Sequence, residues 1–155
     1  MNIFILDLNP YRAAEYHCDQ HVIKMLLESA QMLCTIAQKY GCDAPYRPTH
    51  AKHPCTLWLE QSRTNWEWLV ELSRGLNEEY KKRYNKHIDH KSWTVIQSLT
   101  CPSELPDVGL TPFAQAMPEH YRNPNDVVQA YRAFYVGEKL TFATWKNSQT
   151  PFFVK

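Results

Sequence analysis

Glycine is scarce here, with four residues in 155. Tight β-hairpins draw on glycine-bearing turns, so this scarcity, with several long periodic segments, favours helices over hairpins. Charge of one sign is also lacking. Seventeen Lys and Arg face sixteen Asp and Glu, a formal net charge of +1. Proteins that coat nucleic acid by charge alone are clearly basic, so that class is excluded, although a local basic patch is not. No apolar run reaches the length of a membrane span. The opening MNIFILDLNP has neither the basic start nor the apolar stretch of a secretory leader. The five cysteines are odd in number and contain no C-x-x-C. We therefore expect a reduced, cytoplasmic protein with free thiols, no disulfide framework and no membrane partner.

Repeats, low-complexity tracts and a domain linker are absent too, which points to a single domain over 1–155. Its class is expected to be mainly α: one compact helical domain with three long helices, a short extended N-terminus and a long proline-rich loop. Residues 2–6 form the extended start. Asn9-Pro10 resembles an N-cap with proline in the first turn, and predicts a helix from Pro10 to about Tyr40, stopped by Gly41. Pro54 opens a second helix, to about Tyr84. A short helix is expected over Ser92 to Leu99, and a last one over about Asp126 to Phe142, capped by Asn123 or Asn125. Between Cys101 and Pro124 five prolines impose an ordered loop, of a length more often functional than idle.

The segment DQHVIKMLLESAQ (19–31) carries the main signal. At 100° per residue its apolar side chains cover most of the helix. His17, His21, Lys24, Glu28, Gln31 and Thr35 fall on one strip, about a quarter of the circle. That is narrower than an ordinary solvated face. Two explanations stand. The strip is either a partly exposed seam with an i,i+4 Lys24–Glu28 ion pair of about 0.3 kcal/mol, or it is a site. Buried acid and amine groups suit proton transfer or covalent amine chemistry. His17 and His21 have a spacing able to hold a metal ion, but no third ligand is fixed by spacing and no metal is expected.

Elsewhere, Arg47, His50, Lys52 and His53 precede the second helix and can meet an anion. The densest basic cluster is Lys81, Lys82, Arg83, Lys86, His87, His90 and Lys91, the best nucleic-acid surface in the sequence. Its bland counterpart is a solubilising helix end. Gln115, in the apolar stretch from Pro112 to Pro118, either reads a base edge from a lid or belongs to a plug over the core. Tyr131, Arg132, Tyr135 and Lys139 share a helical face, with Arg132 a candidate phosphate clamp.

Four short motifs occur in order. They are Cys18-Asp19-Gln20-His21 with Glu28 seven residues after the histidine, His53-Pro54-Cys55-Thr56-Leu57-Trp58, Glu79-Tyr80-Lys81-Lys82-Arg83-Tyr84, and His90-Lys91-Ser92. Together they resemble the pyrimidine-dimer DNA glycosylase/AP-lyase superfamily, the phage-type endonuclease V. The resemblance covers about residues 11–93. Residues 100–155 look instead like a subgroup of phage and bacterial proteins sharing this N-terminal half.

The resemblance implies a helical DNA-binding enzyme that acts on a damaged or modified base and needs no cofactor. Glu28 would be the essential carboxylate and His21 would orient the substrate or donate a proton. The family's nucleophile is an N-terminal α-amine, which here implies Met1, because Asn2 is too large for normal methionine removal. Lys24 is the alternative amine. Substrate contacts would come from Asn2, Gln31, Arg47, His50, His53, Arg83, Lys86, His87, His90, Ser92, Gln115 and Arg132. Two arginines that flank the family's glutamate are Leu27 and Gln31 in this chain. Their loss favours a small or single-stranded substrate, so a base- or nucleotide-modifying enzyme of phage DNA metabolism stands as an alternative. A non-enzymatic DNA- or protein-binding phage factor is the third.

Overall fold

A computed structural model describes residues 1–154. The fold is mainly α-helical, without a sheet among the described residues. Six helices follow one another: α1 (Pro10–Tyr16), α2 (Asp19–Lys39), α3 (Pro54–Leu59), α4 (Arg63–Arg83), α5 (Lys91–Gln97) and α6 (Val127–Glu138). None is long and apolar enough to cross a membrane. The central element is α4, against which α1, α2, α3 and α5 all pack. A single cluster of buried side chains runs through all of them, from Ile3 to Tyr135.

Two of the three long helices expected from periodicity are each broken in two. The first breaks at His17-Cys18, which are both extended. Neither residue is a helix breaker, so the cause is tertiary. Cys18 N–H donates to the Tyr135 hydroxyl at 3.0 Å, and Asp19 N–H to the Thr144 carbonyl at 2.8 Å. The carbonyls of Glu15 and His17, freed from the helix, accept from the Arg83 guanidinium. Backbone groups that leave a helix need such partners, and here distant residues supply them. The second break is at Glu60–Ser62. Ser62 Oγ caps α4 by accepting from Thr64 N–H at 3.1 Å and donates to the Gly109 carbonyl at 2.6 Å. The last helix is shorter than expected, and its cap is Asp126, which accepts from Gln129 N–H.

The proline-rich segment is a plug. Phe113 stacks on Trp58 at 5.0 Å and meets Trp68 edge-on at 4.9 Å, while Leu105 and Met117 are buried. Gln115 is correspondingly not a base reader. Its amide donates to the Asn123 carbonyl and accepts from Asn123 N–H, which closes the loop on itself.

Helices α1 and α4 touch closely because Gly75 has no side chain. A Cβ at that position would lie 2.8 Å from Ala14 Cβ, an atom fixed to backbone. Gly75→Ala is therefore expected to destabilise by about 1–3 kcal/mol despite its better helix propensity. Urea unfolding checks this, and a stabilised variant would show that α1 moves aside freely.

Candidate functional site

Residues 2–6 are buried without regular secondary structure, turn at Leu6, whose N–H donates to the Phe4 carbonyl, and bring the chain's first residues onto α2 and α6. Asn2 is the anchor. Its N–H donates to Glu28 Oε1 at 3.0 Å, and its side-chain amide donates to the Ala116 carbonyl at 2.8 Å. Its carbonyl oxygen accepts from Ile3 N–H at 2.8 Å and from the Tyr131 hydroxyl at 3.1 Å. These four hydrogen bonds fix Asn2, which positions Met1 and itself lines the cavity beside it.

The consequence is an ion pair between the Met1 α-ammonium and Glu28 Oε1 at 3.4 Å. The Lys24–Glu28 pair suggested by i,i+4 spacing does not form; the amine of Met1 takes that place. Glu28 is buried, whereas Lys24 is exposed. Together Met1, Asn2, Phe4, His21, Lys24, Met25, Glu28, Phe134 and Lys139 line a cavity of about 130 Å³. Phe4, Phe134 and Lys139 were not expected here. The only sequence signal for Lys139 was its shared face with Tyr131 and Tyr135.

His21 forms one wall. Its ring stacks on Phe4 at 4.7 Å, and its Nδ1 lies 2.6 Å from the Tyr135 hydroxyl. That hydroxyl already accepts from Cys18 N–H. Its own proton has two acceptors, His21 Nδ1 and the more distant Cys18 Sγ at 3.3 Å. A proton given to Cys18 leaves the hydroxyl to accept from His21 Nδ1–H, and one given to His21 Nδ1 leaves the ring hydrogen on Nε2. Burial, then the charges of His17, Lys139 and Lys24, lower the His21 pKa to about 3. A neutral imidazole at neutral pH can donate or accept one hydrogen bond without adding charge to the cavity.

His17 is not on α2 and leaves the polar strip. Burial lowers its pKa to about 4, and its Nδ1 bonds the Ala13 carbonyl. For both histidines the folded value lies below the ordinary 6.5, so the unfolded chain takes up protons first as pH falls. Their stabilising contribution is complete above pH 6.5 and is lost between there and pH 4 to 3. Each is expected to cost up to about 1.4 kcal/mol per pH unit across that window. Urea midpoints at pH 7, 5.5 and 4.5 read this out, and a constant midpoint would show that the rings are not held neutral.

Other expected site residues separate into two groups. Gln31 and Arg47 do share a neighbouring hollow of about 470 Å³, with Leu27, Tyr46 and Thr49. His53 borders the Met1 amine closely enough that this charge, after burial, lowers its pKa. Its Nδ1 accepts from Cys55 N–H and so caps α3. His50 is exposed, with its Nδ1 bonded to Thr49 Oγ1.

The cluster at the end of α4 does not reach this cavity. Lys86 and His87 are exposed elsewhere. His90 caps α5 by accepting from Ser92 N–H, and Ser92 is buried with its Oγ 3.1 Å from the Tyr46 hydroxyl. Arg83 is not on the surface at all, being fully buried against Glu79 and Asp19. Arg132 is likewise engaged within the protein and lies outside the Glu28 cavity. It donates to the Leu6 carbonyl at 2.9 Å, pairs with Asp7 at 3.3 Å, and lies against the rings of Tyr16, Phe152 and Phe153.

Another hollow, of about 670 Å³, lies between Tyr16, Lys82 and residues 147–152, and shares no residue with the Glu28 cavity. No group of three His, Cys, Asp or Glu among the described residues is placed to hold a metal ion. No family model, curated protein or solved structure matches the chain.

Proposed function

We propose that the protein is a nucleic-acid base-processing enzyme, a DNA glycosylase/AP-lyase that works through the α-amine of Met1. The observation that carries this reading is the Met1 amine held 3.4 Å from a buried glutamate at a cavity. An amine must lose its proton before it attacks a carbon, and Glu28 is the one carboxylate lining the cavity to receive it. The free amine then bonds to C1′ of the deoxyribose. The base departs with the electron pair of its glycosidic bond. Opening of the C1′–O4′ bond, with a proton delivered to O4′, leaves a C1′ imine on the protein. His21, held neutral by burial, can form one hydrogen bond with a sugar or base group beside it. A base or sugar reaches so small a cavity only when out of the stack.

A second reading has its own support. Arg83 and Arg132 are buried or tied to backbone, so the free cations at the cavity are lysines. That favours a single-stranded or nucleotide substrate for a base-modifying reaction over a gripped duplex.

Borohydride trapping tests the first reading. The untagged protein is incubated with oligonucleotides carrying an abasic site or a modified base, reduced, and mapped by mass spectrometry. The expected adduct is on the Met1 amine. An adduct on Lys24 would move the nucleophile, and no adduct from DNA that is bound would favour the second reading.

A further inference from the structure

We propose that Lys139, together with Lys24, clamps the phosphate of a single nucleotide-sized unit whose sugar enters the Glu28 cavity. The inference rests on the function proposed above and specifies the substrate group that the site accepts.

Charge is the first ground. The cavity is lined by three ammonium groups, those of Met1, Lys24 and Lys139, against the single carboxylate of Glu28. Glu28 is paired with Met1. The ion pairs formed among the described residues include neither Lys24 nor Lys139. Two unpaired cations at the mouth of one small cavity are a site for an anion, and phosphate is the anion that a nucleotide brings.

The second ground is the direction of Lys139. A lysine at the end of a helix ordinarily interacts with the last carbonyls. Lys139 ends α6 but turns the other way. Its Nζ lies 4.8 Å over the Phe134 ring and 5.9 Å from the centre of Phe4, two rings that line the cavity. These aromatic faces hold the ammonium at the rim without neutralising it. Lys139 and Lys24 both lie near enough to His21 to oppose its protonation, which sets the two amines around the same ring.

Size is the third ground. A cavity of about 150 Å³ holds one benzene ring. At about 130 Å³ the present one admits one sugar or one ring and excludes two stacked bases. The lining joins a buried Glu28 paired with Met1, the rings of Phe4, Phe134 and His21, an exposed Lys24 and a half-buried Lys139. Burial that falls from Glu28 to the two lysines suits a sugar inside with its phosphate outside.

The test compares 2-deoxyribose 5-phosphate with 2-deoxyribose, both of which present an aldehyde to an amine. Borohydride trapping rates are measured at sub-saturating sugar with the full, untagged chain. The 5-phosphate blocks the pyranose form and exposes more aldehyde, so each ratio is divided by the ratio measured with a free amine; the phosphorylated sugar is then expected to be trapped roughly tenfold faster or more, as a charge-assisted contact implies. In Lys139→Gln that ratio falls to near one, while Lys139→Arg keeps most of it. A Lys139→Gln protein that retains the wild-type ratio overturns the clamp, and so does a wild type without a preference.

If neither sugar is trapped, the amine chemistry fails and the clamp is read separately. Titration calorimetry then compares thymidine 5′-monophosphate with thymidine. Phosphate-dependent binding that Lys139→Gln abolishes supports the clamp, whereas absent or unaltered binding overturns it. Circular dichroism melting of both variants separates these effects from misfolding, because Lys139 is only half-buried.

Discussion

Arg83→Gln is expected to destabilise the fold by about 4 kcal/mol, the range seen when one partner of a buried ion pair is removed. In a chain of this size that lowers Tm by roughly 10 °C. The guanidinium is fully buried and its donors are all engaged. Nε and one terminal nitrogen donate to Glu79 Oε1 at 3.0 and 2.8 Å. The same terminal nitrogen donates to the Glu15 carbonyl at 2.8 Å. The other reaches Asp19 Oδ1 at 3.3 Å and the His17 carbonyl. Glutamine is shorter and uncharged. It leaves two buried carboxylates facing each other and two carbonyls without donors, which is the costly situation.

The effect should extend beyond α4. Asp19 also accepts from Thr144 Oγ1 at 2.7 Å and from Lys146 N–H at 3.0 Å, so it fixes the C-terminal segment to the start of α2. Loss of Arg83 should therefore raise proteolysis near residues 143–150 before global unfolding. Urea denaturation of Arg83→Gln, Glu79→Gln and the double variant gives the coupling energy. A single-variant cost below about 1 kcal/mol, the value typical of a surface pair, would show that the guanidinium is solvated.

Glu28→Gln is expected to reduce trapping of abasic DNA by about 10²- to 10⁴-fold, the usual contribution of a positioned proton acceptor. Glutamine nearly preserves the shape of glutamate and still accepts from Asn2 N–H, so the N-terminal segment should stay in place. What it cannot do is take the proton of the Met1 ammonium. The loss should therefore appear in the rate of adduct formation more than in binding of the oligonucleotide. A variant that traps as fast as wild type would remove Glu28 from the chemistry. One that also melts far lower would make the carboxylate structural.

Much of the site was legible in the sequence, and the reason is local. His21, Lys24 and Glu28 belong to one helix and helical spacing alone aligns them, whereas Gln31 on the same strip lines a separate hollow. The mainly α class followed from the same periodicity together with the scarcity of glycine. The two helix breaks were not legible. His17-Cys18 carries no proline or glycine, and the partners that open it, Arg83, Tyr135 and Thr144, lie at least 66 residues away.

Arg83 shows the same limit from the other side. Its neighbours Lys81, Lys82 and Lys86 make it look like one more surface cation. Only its i,i+4 relation to Glu79 hinted at a pair, and nothing local tells a buried pair from an exposed one. Lys139, Phe4 and Phe134 could not be assigned to the cavity because the N-terminal segment, α2 and α6 meet only in three dimensions.

The anchoring of Asn2 bears on the time course of biosynthesis. Its side chain is completed by Tyr131, 129 residues later along the chain. The Glu28 cavity also needs Phe134 and Lys139 from the last helix. A ribosome makes residues 1–28 before α6, so the two halves of the cavity emerge more than 100 residues apart. Contacts this distant form late and slowly. Until α6 has emerged, the Met1 amine is an ordinary exposed amine without the cavity around it. Whatever chemistry the cavity supports begins only once α6 has joined the N-terminal segment and α2, so a chain cut short before α6 lacks the site.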